Sequence, residues 1–199
     1  MLSLIVLAAG KSTRMRGRNK LLANIEGKPM IRRAVETALN SKVDEVIVVL
    51  GWEAQRIREV LSDLPCRFVL NKDYEHGQSS SVKAGLKEVG PTTRAILILP
   101  GDMARIDMHS INAVLDAYNK EMASIVVAAH KAKLGHPILL SRELFQEIGQ
   151  IDEQTFGLKS VVKRHETEMR LVETGTDNVL RDVDTPDDLK RIQENSGLG

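Results

Sequence analysis

The chain has 199 residues, 42% of them hydrophobic and 28% charged, and a formal net charge of +1. This length suits one domain with a real core, and the near-neutral balance gives no footing for nucleic acid or membrane as the main partner. The single cysteine, Cys66, excludes an intramolecular disulfide and a thiolate metal cage, and reads as a buried structural thiol.

In chain order, Leu2–Gly10 is an apolar run with no basic stretch before it, far shorter than a membrane span. It reads as a buried strand, Ser3–Ala8, and the protein as cytoplasmic. Ile31, Ala34, Val35, Ala38 and Leu39 recur at helical spacing. Glu45–Leu50 is a second strand, Ile57, Val60 and Leu61 mark a second helix, and Arg67–Leu70 is a third strand. Ser79 to Ser81 suit the cap of a helix that carries Val82, Leu86 and Val89. Ala95–Leu99 is the fourth strand; Ile111, Leu115, Tyr118 and Met122 line one helix face; Ser124–Ala129 is the fifth strand. Unbroken Val, Ile and Leu runs of this kind suit strands covered on both faces.

The last third leaves that rhythm. Ile138–Leu140 and Arg170–Glu173 read as strands, and Ser141–Ile148 and Leu158–His165 as helices. With no repeat or linker, residues 1–199 form one three-layer α/β/α domain on a mostly parallel, mixed central sheet. Ligands in such sheets bind beyond the carboxyl ends of the strands.

The first such end is the most informative. Leu7-Ala8-Ala9-Gly10-Lys11-Ser12-Thr13-Arg14 leaves the strand through small residues, and positions 11–20 carry two hydroxyls and five basic side chains. Exposed N–H groups in a small-residue turn bind anions; Arg adds forked donors and Lys a point charge. That chemistry suits a triphosphate. A Walker A loop is excluded, because its first glycine is replaced by Ile5, and no G-x-G-x-x-G is present. The bland reading is a solvated basic loop.

The stretch from Leu7 through Arg14 and Met15 to Lys20-Leu21-Leu22 resembles the L-A-A-G-x-S-x-R-M-x(n)-K-L-L signature of a nucleotidyltransferase family. That family includes the molybdenum cofactor cytidylyltransferases and guanylyltransferases, and has wider relatives among sugar-phosphate nucleotidyltransferases. The resemblance implies a nucleotide-diphospho-sugar-transferase-like fold. It also implies that Leu7, Ala8, Ala9, Gly10, Lys11, Ser12 and Thr13 wrap a nucleotide, with Arg14 and Lys20 on its phosphates. The family reads R-M-G-x-x-K; Arg16, between Met15 and Gly17, lengthens the loop by one residue.

Asn71 through Ser81 follow the third strand and resemble the family's base and ribose segment, which assigns nucleotide contacts to Asn71, Gly77, Gln78 and Ser81. Read from the residues alone, the segment is a well-capped helix start. Ala8-Ala9-Gly10 with Asn71 leans toward CTP, again by resemblance. Leu99-Pro100-Gly101-Asp102-Met103 places a carboxylate at a strand end, where Mg²⁺ prefers carboxylate and phosphate oxygens; an Asx turn is the structural alternative. Asp182 and Asp184 alternate on an extended segment and so point the same way, whereas Thr185, Asp187 and Asp188 make an ordinary helix start. The family's D-(I/V)-D-T-P-x-D-L pattern implies that Asp182 and Asp184 join Asp102 at a metal or acceptor site. Gly135-His136-Pro137 resembles the acceptor-side wall. The following G-D-x-G-x-R is kept only at Gly157 and Lys159, with Thr155 where the acid is expected.

Taken together, the resemblance implies an enzyme that transfers CMP from CTP to the phosphate of molybdopterin, with Mg²⁺ as cofactor. Arg14, Lys20 and Asp102 carry catalysis, and His136 and Lys159 hold the acceptor. The resemblance also implies product hand-over to a molybdoenzyme or its chaperone. Alternatives are a sugar- or polyol-phosphate cytidylyl- or uridylyltransferase, a molybdopterin guanylyltransferase, or a silent nucleotide-binding regulator.

Overall fold

The structure, a computed structural model, describes residues 1–15 and 17–195; Arg16, with the loop lengthening assigned to it, lies outside them. The strands and helices are β1 (Leu2–Ala8), the hairpin β2 (Asn24–Ile25) and β3 (Lys28–Pro29), α1 (Met30–Leu39), β4 (Glu45–Leu50) and α2 (Ala54–Val60). They continue with β5 (Arg67–Leu70), α3 (Gln78–Glu88), β6 (Ala95–Pro100), α4 (Met108–Glu121), β7 (Ile125–His130) and β8 (Lys133–Ser141). The chain closes with α5 (Phe145–Ile148), α6 (Leu158–Arg164), β9 (Met169–Glu173) and α7 (Pro186–Asn195).

Seven strands form one sheet in the order β5-β4-β1-β6-β8-β7-β9. β1 pairs in parallel with β4 and β6, β4 with β5, and β7 with β9. Only β8 runs against its neighbours β6 and β7. The period-two alternation of β1 splits its side chains between two cores. Leu4, Val6 and Ala8 join Ile31, Val35, Ile57 and Leu115 on one face; Ile5 and Leu7 join Val82, Ile148 and Val161 on the other. Helices therefore cover both faces, and the expected three-layer architecture is present.

Several local expectations are corrected. β5 is an edge strand with exposed Arg67 and Leu70, so it is not covered on both faces. Cys66 is half-buried against the core rather than enclosed. Met122 is exposed in the left-handed residue that ends α4, outside the apolar face. Ser141 ends β8, so the helix expected over Ser141–Ile148 begins one residue later, as a tight turn Arg142–Leu144 that runs directly into α5. The α3 cap is also different: Ser79 to Ser81 lie within its first turn, and the Ser79 N–H donates to Glu153 Oε1 at 2.6 Å. A carboxylate from another loop thus satisfies an orphan helical N–H.

The hairpin reversing β7 into β8 turns on Lys131 and Ala132, both left-handed, whose N–H groups donate to the Glu173 carboxylate at 2.9 and 2.7 Å. This reversal has a functional consequence. Because β8 is antiparallel, with Ile138 opposite Ile98, its Gly135–His136 end lies beside the carboxyl end of β6. Among the described residues no helix is long and apolar enough to cross a membrane.

Candidate active site

The loop after β1 is built by its own short-range bonds. Met15 is buried and anchors a single turn, Thr13–Met15. Ser12 is left-handed; its carbonyl accepts from the Met15 N–H at 2.8 Å, and its hydroxyl from the Lys20 N–H at 3.2 Å. Buried Asn19 caps the turn Lys20–Leu22 by accepting from the Leu21 N–H. The loop thereby returns Lys20 to the strand ends, while Lys11, Arg14 and Arg18 stay exposed.

Gly101 brings the second component close. A Cβ there would lie 2.8 Å from Ile31 Cδ1 and 2.9 Å from the Leu7 carbonyl oxygen, so only glycine allows β6 to turn tightly beside β1. Asp102 follows. Lys20 Nζ donates to Asp102 Oδ2 at 2.5 Å and to Asp184 Oδ1 at 2.9 Å, and Arg14 pairs with Asp184 Oδ2 at 2.8 Å. The Asp102 side chain is only 14% exposed, and its Oδ1 is buried without a hydrogen-bond partner. It is not the free surface carboxylate of an Asx turn.

The charges respond to this packing. Burial works against the Lys20 ammonium, but the Asp102 and Asp184 carboxylates outweigh it and raise the lysine above its ordinary range. Burial likewise pushes Asp184 up, and the hydrogen bond and charge of Lys20, with Arg14, overcome it and hold that carboxyl low. Asp182 lacks such support; partial burial and its Asp184 and Asp102 neighbours raise it. Val183, between the two acids, is buried. Among the described residues, no three His, Cys, Asp or Glu side chains gather into a closed cation cage.

These groups line the floor and wall of a cavity of about 420 Å³. Leu7, Ala9, Gly10, Lys11, Ser12, Thr13, Arg14 and Lys20 face it, as do Gly77, Gln78, Ser81, Asp102 and Asp184. Three expected residues do not. Ala8 packs into the core. Asp182 stands outside the lining. Asn71 is buried and spends its side chain internally: its amide donates to Ser80 and Ser81 Oγ at 2.8 and 3.0 Å, and its Oδ1 accepts from the Asp73 N–H. It positions α3, with no donor left for a base.

Tyr74 and Glu75 also line the cavity, although neither was singled out in the sequence. Glu75 pairs with Lys11, whose ammonium also lies 5.9 Å from the Tyr74 ring centroid. An acid and an aromatic opposite a basic loop were the available signal, hidden because the two segments are distant in sequence.

His136 and Lys159 border a different cleft, of about 510 Å³, which shares Gln78 with the first cavity. Its wall is largely apolar, with Ile98, Ile138, Leu158 and Val162, and Lys159 and Lys163 supply charge. His136 is held neutral, at about 4, chiefly by burial, which outweighs the Ile98 backbone and the Asp182 charge. Its Nδ1 is buried without a hydrogen-bond partner.

A mostly parallel sheet with a basic small-residue loop and a carboxylate at adjacent strand ends defines a nucleotide-handling α/β domain. Residues 4–169 match the MobA-like NTP transferase domain, and the chain belongs to that family. It is 26% identical over 151 residues to the bifunctional protein GlmU of Desulfotalea psychrophila, covering 75% of this chain and 44% of that protein. The chain spans less than half the length of the curated relatives it matches. Among solved structures, the homologue of Mycobacterium tuberculosis Rv0371c from Mycobacterium sp. strain JC1 is 29% identical, with a TM-score of 0.85 over 98% of this chain and 96% of that one. Molybdopterin-guanine dinucleotide biosynthesis protein A from Archaeoglobus fulgidus shares the fold at 16% identity, TM-score 0.68, with 98% of each chain covered.

Proposed function

We propose that this chain is a nucleotidyltransferase that moves CMP from CTP to the phosphate of an acceptor with a largely apolar body, molybdopterin being the acceptor class that fits best. The carrying observation is the Lys20 ammonium, shared between Asp102 and Asp184 at the floor of a cavity walled by the basic loop. Arg14 and Lys20 bind the β- and γ-phosphates and neutralise the pyrophosphate as it leaves. The attacking acceptor phosphate is already an anion, so the reaction needs positioning and charge neutralisation rather than a general base. The P–O bond to the acceptor forms in line as the bond between the α- and β-phosphates breaks.

The donor set suits a hard divalent cation. Asp102 Oδ1 lacks a hydrogen-bond partner, and Asp184 lies across Lys20 from it. With no closed cage, the remaining oxygens come from phosphates and water, the habit of Mg²⁺. Bound there, the ion supplies electrostatic stabilisation of charge on the α-phosphate.

Two features support the choice of substrates. Ala9 lines the cavity and its methyl lies against Gly51, which favours the smaller pyrimidine base. The apolar wall around His136 favours a ring-like acceptor over a polyol, whose hydroxyls would lose hydrogen bonds there. The test is pyrophosphate release from each of CTP, GTP, ATP and UTP with Mg²⁺, using molybdopterin and, separately, sugar phosphates. Release with CTP and molybdopterin is expected. Release only with a sugar phosphate moves the chain to the sugar nucleotidyltransferases, and none with any pair leaves a binding protein.

A further inference from the structure

Among the described residues, Phe156 is the most exposed large hydrophobic side chain, at 77%, and its backbone is left-handed with φ 63°. A bulky residue in that region is a genuine outlier, and such strain persists only where the surroundings over-determine it. Here they do. The Asp152 carboxylate accepts from the Thr155 N–H at 2.7 Å, the Asp152 carbonyl from the Gly157 N–H at 2.7 Å, and the Glu153 carbonyl from the Phe156 N–H at 3.2 Å. The Glu153 carboxylate also ties this loop to the first turn of α3 through Ser79. The turn is held by these hydrogen bonds, and the core takes nothing from the ring it displays.

The position of that ring gives it a use. Phe156 walls a small cavity of about 220 Å³ that shares Gln78, Leu158 and Lys159 with the apolar cleft beside His136. Leu134, 50% exposed, lines that cleft as well. Two of the exposed large hydrophobics thus border neighbouring cavities that share Lys159, which adds a positive charge to both. An exposed aromatic face beside a cationic group suits a flat ring that carries a phosphate.

We propose that Phe156 is a specificity-determining residue: its ring is the face against which a flat heteroaromatic ring of the acceptor stacks. This deepens the acceptor reading above and rests on it. The left-handed backbone makes the inference separable from a structural role. Glycine adopts φ > 0 without strain, so Phe156→Gly should match or exceed the parent melting temperature while losing the stacking face.

The experiment titrates 6-hydroxymethylpterin monophosphate, a fluorescent flat ring with one phosphate, into the full chain with CTP and Mg²⁺ present. Phe156→Gly should weaken binding by about tenfold or more, as for loss of one stacking partner, and Phe156→Trp should restore it. The thermal shift produced by CTP should be the same in all three proteins, because Phe156 does not line the nucleotide cavity. Equal affinity of the probe for parent and Phe156→Gly overturns the inference, as does a parent that binds glucosamine 1-phosphate in preference to the probe. A parent that is stabilised by CTP but does not bind the probe also overturns it, leaving the nucleotide site intact. Absence of any CTP shift instead removes the proposed function beneath it.

Discussion

Lys20 Nζ lies 2.5 Å from Asp102 Oδ2, joining the loop after β1 to the end of β6 across 82 positions of sequence. The side chains are 15% and 14% exposed, so their charges interact with little screening. Asp102→Asn leaves Lys20 its second partner, Asp184, and should keep the fold. If the carboxylate helps to stabilise charge during transfer, turnover should fall by about two orders of magnitude. Pyrophosphate release measured on the folded variant checks this; near-parental turnover would reduce Asp102 to a packing partner of Lys20.

The base preference has its own probe. CTP with Mg²⁺ should raise the melting temperature more than GTP, ATP or UTP, since a ligand that binds the native state stabilises it by mass action. Ala9→Gly removes the methyl that lies against Gly51 and should narrow the gap between CTP and GTP. A larger shift with GTP in the parent protein would reverse the assignment of the base.

His136 makes stability pH-dependent in a defined direction. Its folded value of about 4 lies below the ordinary 6.5, so between these values the unfolded chain holds a proton that the folded chain does not. Stability therefore rises with pH through that window and is lost as pH falls from 6.5 towards 4. Replacing His136 with Gln should flatten the fall in melting temperature over this range. An unchanged slope would assign it to other groups. Above the window His136 is neutral and should contribute no step to turnover.

Asp182 behaves in the opposite sense. Its folded carboxyl is raised, so the folded chain binds a proton more readily than the unfolded one, and stability falls as pH climbs above the ordinary carboxylate range. At neutral pH Asp182→Asn should melt higher than the parent protein, and the advantage should vanish in acid below that range. Melting curves at the two extremes decide it.

Asp184 and Asp188 separate function from capping. The Asp188 carboxylate accepts from the Thr185 N–H at 2.9 Å, while Thr185 Oγ1 accepts from the Asp188 N–H at 3.2 Å, a reciprocal box at the start of α7. Asp188→Ala should cost about 1 kcal/mol of stability and leave pyrophosphate release nearly unchanged. Asp184→Asn should instead raise the Mg²⁺ concentration required for half-maximal rate. Identical behaviour of the two variants would make the whole segment an ordinary helix start.

Much of this was legible in one dimension because it is local. The apolar runs at 3–8, 45–50 and 95–99, and the helical spacing between them, follow from strand and helix periods and needed no tertiary information. The small-residue loop from Ala8 to Lys20 showed its basic, hydroxyl-bearing character by composition, and most of it lines the cavity at the strand ends. Thr185 and Asp188 showed their capping role by spacing, and Asp187 stands with Asp188 in the first turn of α7, as expected of an acid at a helix start.

Side-chain direction and long-range pairing were not legible. Asn71 reads as a ligand donor in sequence, yet its amide is spent on Ser80 and Ser81. The α3 cap comes from Glu153, 74 positions away. The reversal of β8 that carries His136 to the strand ends depends on left-handed Lys131 and Ala132, residues with no turn preference of their own, supported by Glu173. Composition and period determined the layers and where a ligand should bind. Only the packed chain decided which charges share that place, because Lys20 meets Asp184 across 164 positions, a proximity that local preference cannot encode and that partial burial makes energetically consequential.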